Sequence, residues 1–147
     1  MDISSVNILG ASLSLFILAI CSLVFIFRLL GRERVEYWFG ILLLLTVIPL
    51  LYLLLTANQY QRAPIYYIQI GTMIGYLLIE LLLDYIYKIE FRKVKWMAII
   101  YVMIFFGGTG GMIGIASQAG ELWRILSIVL FLIMAILAFY QRAKTGM

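Results

Sequence analysis

Residues 65–87 read IYYIQIGTMIGYLLIELLLDYIY, apolar over the length of a membrane crossing yet threaded by Gln69, Thr72, Tyr76, Glu80, Asp84 and Tyr87 at steps of three and four. At 3.6 residues per turn those steps place all six on one broad stripe of a single helix. The stretch is therefore read as a transmembrane helix with one polar face. An ionisable group at mid-span costs roughly 2.5–3.5 kcal/mol on insertion scales, so Glu80 is expected to face protein or water rather than lipid.

Four further apolar runs flank it, at about 6–30, 37–56, 96–116 and 123–140, each near the roughly 20 residues a crossing needs. The composition agrees: 65% of the 147 residues are hydrophobic and 12% charged, and the mean hydropathy is +1.10. This is far outside the range of soluble domains. The expected fold is all-α, a compact bundle of five transmembrane helices forming one domain over residues 1–147. Short polar connections (GRERVE, TANQYQRAP, KIEFRKVK and SQAGE) make consecutive helices antiparallel neighbours. No basic n-region precedes the first run and no small-residue cleavage site closes it, so that run is expected to remain in the mature protein.

Of the eleven basic residues, Arg28, Arg32, Arg34, Lys88, Arg92, Lys93, Lys95, Arg142 and Lys144 fall on one side, and only Arg62 and Arg124 on the other. Basic residues are retained in the cytoplasm, which predicts the amino terminus outside and the carboxyl terminus inside. Trp38, Trp96 and Trp123 all lie at helix ends and read as interfacial anchors. Because every basic cluster flanks a span, the net charge of +4 is explained by topology, and nucleic acid is not an expected partner. The expected surroundings are the lipid bilayer of a cell membrane, the inner membrane in a prokaryote, with a homo-oligomer or a larger membrane complex as assembly.

Helix 3 runs inward from Ile65, which puts Glu80 about 6 Å and Asp84 about 12 Å beyond Tyr76 at 1.5 Å rise per residue. Their i, i+4 spacing stacks two carboxylates that cannot both stay charged readily in a poorly solvated site, so one is expected to hold a proton. A proton carrier or cation site uses such an arrangement. The competing reading is a salt bridge, and Arg28, at similar depth on helix 1, is the candidate partner of Asp84. Gln69, Thr72 and Tyr76 either line a cavity with Glu80 or bridge helices by hydrogen bonds.

Glycines form the second pattern. Gly71 and Gly75 on helix 3 are a small-xxx-small pair expected to face helix 4, where FFGGTGGMIG supplies Gly107, Gly108, Thr109, Gly110, Gly111 and Gly114. Gly107, Gly110, Gly111 and Gly114 fall on one face, a smooth strip against which helix 3 is expected to pack closely. So many glycines also weaken a helix, by about 1 kcal/mol each relative to alanine, which leaves a broken helix around Gly108 and Thr109 as the alternative. Pro49, in the middle of helix 2, predicts a kink about one turn earlier, near Leu45 and Thr46, either a packing bend or a hinge.

Several chemistries are absent from the sequence. There is no histidine, so the commonest metal ligand and general base is missing, and the lone Cys21 rules out an internal disulfide. No nucleophile setting or phosphate-binding motif appears, and neither a metal site nor a cofactor is expected; an enzyme acting on lipid would have to use Glu80 and Asp84 as acid and base, and is the third reading after the two below. Tryptophan-rich translocator proteins carry tryptophan inside their spans and sterol-isomerase-like proteins carry intramembrane histidine; the chain resembles neither. The reading that remains is a small integral membrane protein. Either it is a proton- or cation-linked transporter or small-ligand-binding protein built on Glu80, or it is a structural or accessory subunit of a larger membrane complex.

Overall fold

The computed structural model describes residues 2–87 and 94–145, with the side chains of Asp84 and Thr145 excepted. It contains α1 (Ile3–Leu29), α2 (Glu33–Leu45), α3 (Val47–Thr56), α4 (Pro64–Glu80), a π-helical turn (Leu81–Ile86), α5 (Lys95–Ser117) and α6 (Glu121–Thr145). Five spans are long and apolar enough to cross a bilayer, α2 and α3 together making the second. Among the described residues there is no strand.

Local chemistry sets the helix ends. Asp2 caps α1 by accepting a hydrogen bond from the Ser5 backbone N–H at 2.9 Å, and the hydrogen bonds from Ser5 hold its carboxyl below the usual pKa. At the far end Gly31 takes φ +73°, the Arg32 N–H donates to the Phe27 carbonyl at 3.0 Å, and the Gly31 N–H donates to that of Arg28 at 3.2 Å. This is a Schellman turn, closed by the residue type that adopts a left-handed conformation at no steric cost. It reverses the chain within a few residues and lays α2 back along α1. Pro64 opens α4, where its missing N–H has no helical partner to lose.

The second span is interrupted at Thr46. Pro49 has no N–H for the Leu45 carbonyl; Thr46 instead makes a tighter turn, its N–H bonding Leu43 at 3.1 Å and its hydroxyl donating to the same carbonyl at 2.5 Å. Leu50 and Leu53, just past the break, are fully buried, so the bend turns the apolar face of α3 inward.

Each span packs on the next in sequence, and the ring closes with α6 on α1. In addition α1 crosses to α5, so α1 occupies the middle of the bundle. Its buried row, Val6, Gly10, Ile17, Leu18 and Cys21 among others, recurs at helical spacing. The outer faces carry exposed Leu122, Ile125, Val129, Leu132 and Ile136 on α6, the composition expected where the solvent is lipid. At one end of the bundle Arg62 Nη2 donates to Asn7 Oδ1 at 2.5 Å and its guanidinium lies 4.7 Å from the Tyr66 ring centre. The opposite end, near Arg28, holds a cavity.

Candidate functional site

The polar stripe of α4 divides into two parts with different surroundings. In the half nearer Pro64, Gln69, Thr72 and Met73 lie against the glycines of α5. A Cβ on Gly108 would sit 3.2 Å from the Met73 Cα, one on Gly111 would sit 3.2 Å from the Gln69 Cβ, and one on Gly107 would sit 3.7 Å from the Thr72 methyl. Gly114 faces the amide of Gln69. Thr72 satisfies its own hydroxyl by donating to Ile68 at 2.7 Å. This half is interhelical packing.

Two expectations about the glycines change here, and the broken-helix alternative falls away. The face of α5 turned to α4 is Gly107, Gly108, Gly111 and Gly114, whereas Gly110 looks toward Phe131 of α6 at 3.9 Å. Gly71 and Gly75 would meet nothing within 4 Å of an added Cβ, so they do not form the groove that receives α5. And α5 runs unbroken through Gly108 and Thr109, with Thr109 fully buried and its hydroxyl donating to Phe105 at 2.8 Å. Packing against α4 shields the backbone that the glycines leave uncovered.

In the other half, Tyr76 and Glu80 reach a cavity of about 400 Å³ at the Arg28 end. Five elements contribute walls: Cys21, Phe25 and Arg28 from α1, Glu36 and Gly40 from α2, Tyr76, Glu80 and Tyr85 from α4 and its π turn, Tyr101, Val102 and Phe105 from α5, and Ala138 and Gln141 from α6. The Tyr101 hydroxyl donates to Glu80 Oε2 in a short hydrogen bond, and the Tyr76 and Tyr101 hydroxyls are 3.1 Å apart. Since Tyr101 has one proton and gives it to Glu80, Tyr76 is the donor in the second contact. A chain Tyr76, Tyr101, Glu80 results, with every proton directed toward the carboxylate.

Arg28 has partners of its own on the cavity wall. Its Nε donates to Glu36 Oε1 at 2.7 Å, Nη1 reaches Gln141 Oε1 at 3.5 Å, and the guanidinium stands 5.7 Å from the centre of the Phe25 ring. Arg28 pairs with Glu36 because the turn at Gly31 brings Glu36 back beside it; the expected Arg28–Asp84 pair falls on a side chain that lies outside the described residues.

The π turn accounts for a residue the helical period misplaces. Past Glu80 the backbone bonds i to i−5, as in Tyr87 N–H to the Leu82 carbonyl at 2.8 Å, so the wheel slips and residue 85 comes round to roughly the side of residue 80. Tyr85 therefore reaches the cavity wall. Its hydroxyl donates to the Tyr37 carbonyl at 3.3 Å and rests on Gly40, where an added Cβ would collide with it. Tyr87, the last member of the expected stripe, is 66% exposed and lies off the site.

Tyr101, Glu36, Gln141 and Tyr85 were not singled out from the sequence. The available signals were small: Tyr101 is the one polar residue in 97–106, MAIIYVMIFF, and Gln141 ends an apolar run. The chain has the make-up of a small multi-pass membrane protein, five apolar helical spans with a cavity of mainly apolar lining among them. No protein-family model matches it, nor does any curated protein or solved structure. Function is therefore argued from the cavity and its chemistry alone.

Proposed function

We propose that this chain is a small-ligand-binding membrane protein, acting as a proton- or cation-linked carrier, that takes its ligand into the cavity beside Glu80. One observation carries the reading: the intramembrane carboxylate lines an open space of about 400 Å³ instead of being closed over by neighbouring helices. That volume lies within the range of small-molecule sites, which combine apolar walls with a few convergent polar groups. The excess of basic residues at this end supports a mouth facing the cytoplasm. For a carrier with only five spans, a symmetric dimer in the cell membrane is the simplest working assembly. A purely structural role accounts for Gln69 and Thr72, which are taken up in packing, but not for the cavity beside Tyr76 and Tyr101.

The test is chemical access. In a chain carrying Cys21→Ala, Val102→Cys places a thiol on the cavity wall and Ile74→Cys places one in the packed core. A membrane-impermeant thiol reagent applied from the Arg28 side is expected to label the first and spare the second. Equal inertness of both contradicts the reading.

A further inference from the structure

We infer that Arg62, at the end of the bundle away from the Glu80 cavity, is an anion site whose guanidinium holds a phosphate group.

The turn between the second and third spans sets the residue in place. Gln61 takes a left-handed φ of +50°, the Arg62 N–H donates to the Ala57 carbonyl at 3.1 Å, and the Gln61 N–H donates to that of Asn58 at 3.2 Å. This is a second Schellman turn, built on a residue other than glycine. Pro64 opens α4 just beyond it. Arg62 thus stands where the chain re-enters the apolar layer, the level at which the headgroups of a bilayer begin.

Its charge has no counterion there. Among the described residues the guanidinium makes one hydrogen bond, from Nη2 to Asn7 Oδ1 at 2.5 Å, and lies 4.7 Å and 5.8 Å from the ring centres of Tyr66 and Tyr60. Rings attract a cation without neutralising it. The acids of this end are engaged elsewhere: Asp2 caps α1 through the Ser5 N–H, and Glu121 pairs with Arg124, the other basic residue here. Glu33, Glu36 and Glu80 line the cavity at the Arg28 end. Asp84 and Glu90 follow Glu80 in sequence, past the far end of α4.

Donors remain as well as charge. Arg62 Nε is buried without a hydrogen-bond partner. Nη1 has no partner among the described residues and is not buried, so it is open to an incoming acceptor. A guanidinium accepts no hydrogen bond, so Asn7 must turn its oxygen to Arg62, and Asn7 Nδ2 is left as a second uncommitted donor beside the same cation. Charge-assisted N–H bonds to phosphate oxygens are among the strong ones, and arginine is suited to them by its planar array of donors. A lipid headgroup and free phosphate offer the same oxygens.

The test is read on the guanidinium itself. The full-length protein is prepared in neutral detergent with isotope-labelled arginine, and the Arg62 Nε–H resonance is assigned by its loss in Arg62→Lys. Dihexanoyl phosphatidylglycerol or inorganic phosphate is then titrated in at constant ionic strength. The Arg62 resonance is expected to shift and saturate while that of Arg124, already paired, stays in place. Asn7→Asp puts a counterion where a neutral amide now stands; it should keep the helical circular dichroism of the parent and raise the half-saturating concentration about tenfold or more. Saturation by the lipid alone assigns the site to a headgroup, and saturation by inorganic phosphate assigns it to free phosphate as well. Absence of a saturable shift with either probe overturns the anion site. An equal shift at Arg124, or an Asn7→Asp protein that responds as the parent does, likewise overturns it.

Discussion

Alanine substitutions at four glycines separate the packing surface of α5 from the open face of α4. At Gly108 a new Cβ meets the Met73 Cα at 3.2 Å, and at Gly111 it meets the Gln69 Cβ and Cα at 3.2 and 3.3 Å. Carbon atoms rest at about 3.5–4.0 Å, so α4 and α5 must part by roughly 0.3–0.8 Å to admit either methyl. Backbone atoms cannot swing aside as a side-chain end can, and overpacking of this kind costs about 1–3 kcal/mol. At Gly71 and Gly75 a Cβ meets nothing within 4 Å. All four sites are helical, so the gain of about 1 kcal/mol from replacing glycine by alanine is common to them and cancels in the comparison. Gly108→Ala and Gly111→Ala should therefore lie about 1–3 kcal/mol below Gly71→Ala and Gly75→Ala, and the latter two should match or exceed the parent. The assay is reversible unfolding in mixed micelles of rising sodium dodecyl sulfate, followed by circular dichroism. Equal losses at Gly71 and Gly75 would refute the assigned faces and mean that this side of α4 carries a close contact of its own.

Three further perturbations probe the cavity. Arg28→Met or Glu36→Gln leaves a charge without its partner where the side chains are only 11% and 21% exposed, and each should cost roughly 3 kcal/mol in the same unfolding assay, while Arg28→Met with Glu36→Leu recovers most of the loss. Tyr101→Phe removes a hydroxyl that serves both Glu80 and Tyr76 and should cost about 1–3 kcal/mol, against about 0.5–1.5 for Tyr76→Phe, which gives up one outward bond; the reverse order would contradict the direction of the chain. Gly40→Ala drives a methyl into the Tyr85 hydroxyl, so it should destabilise alone and much less beside Tyr85→Phe, with a coupling of about 0.5–3 kcal/mol in the double-mutant cycle. Additive losses would mean the two residues do not meet.

Local rules carried the fold a long way. Apolar runs located the five spans, and Pro49 located the break at Thr46 because a missing N–H acts on a carbonyl one turn back. Of the polar stripe, Tyr76 and Glu80 line the cavity, and Arg28, singled out on helix 1, lines it too. What it lacked was tertiary phase. A helix apolar on both sides carries no pattern that fixes its rotation, so a wheel placed Gly110 with Gly107, Gly111 and Gly114 when the packed face takes Gly108 instead. Tyr101 joins Glu80 from another helix, and no spacing within α5 reports that meeting. The π turn defeats a fixed period outright: steps of 3.6 aligned Asp84 with Glu80, and the local i to i−5 bonding brings Tyr85 to the cavity wall. The Arg28–Glu36 pair was within reach of the sequence, since Gly31 between them marks the reversal that joins them.

Glu80 on a solvent-connected cavity is the claim on which the rest depends. Infrared difference spectroscopy of the purified protein, with pH stepped in H₂O and D₂O and Glu80→Gln as control, reads that carboxyl directly. A carboxyl band that titrates, shifts on deuteration and vanishes in Glu80→Gln is the predicted result. A Glu80 carboxyl that never titrates, in a protein whose stability Glu80→Gln leaves unchanged, would mean the whole stripe is packing and would contradict a binding role.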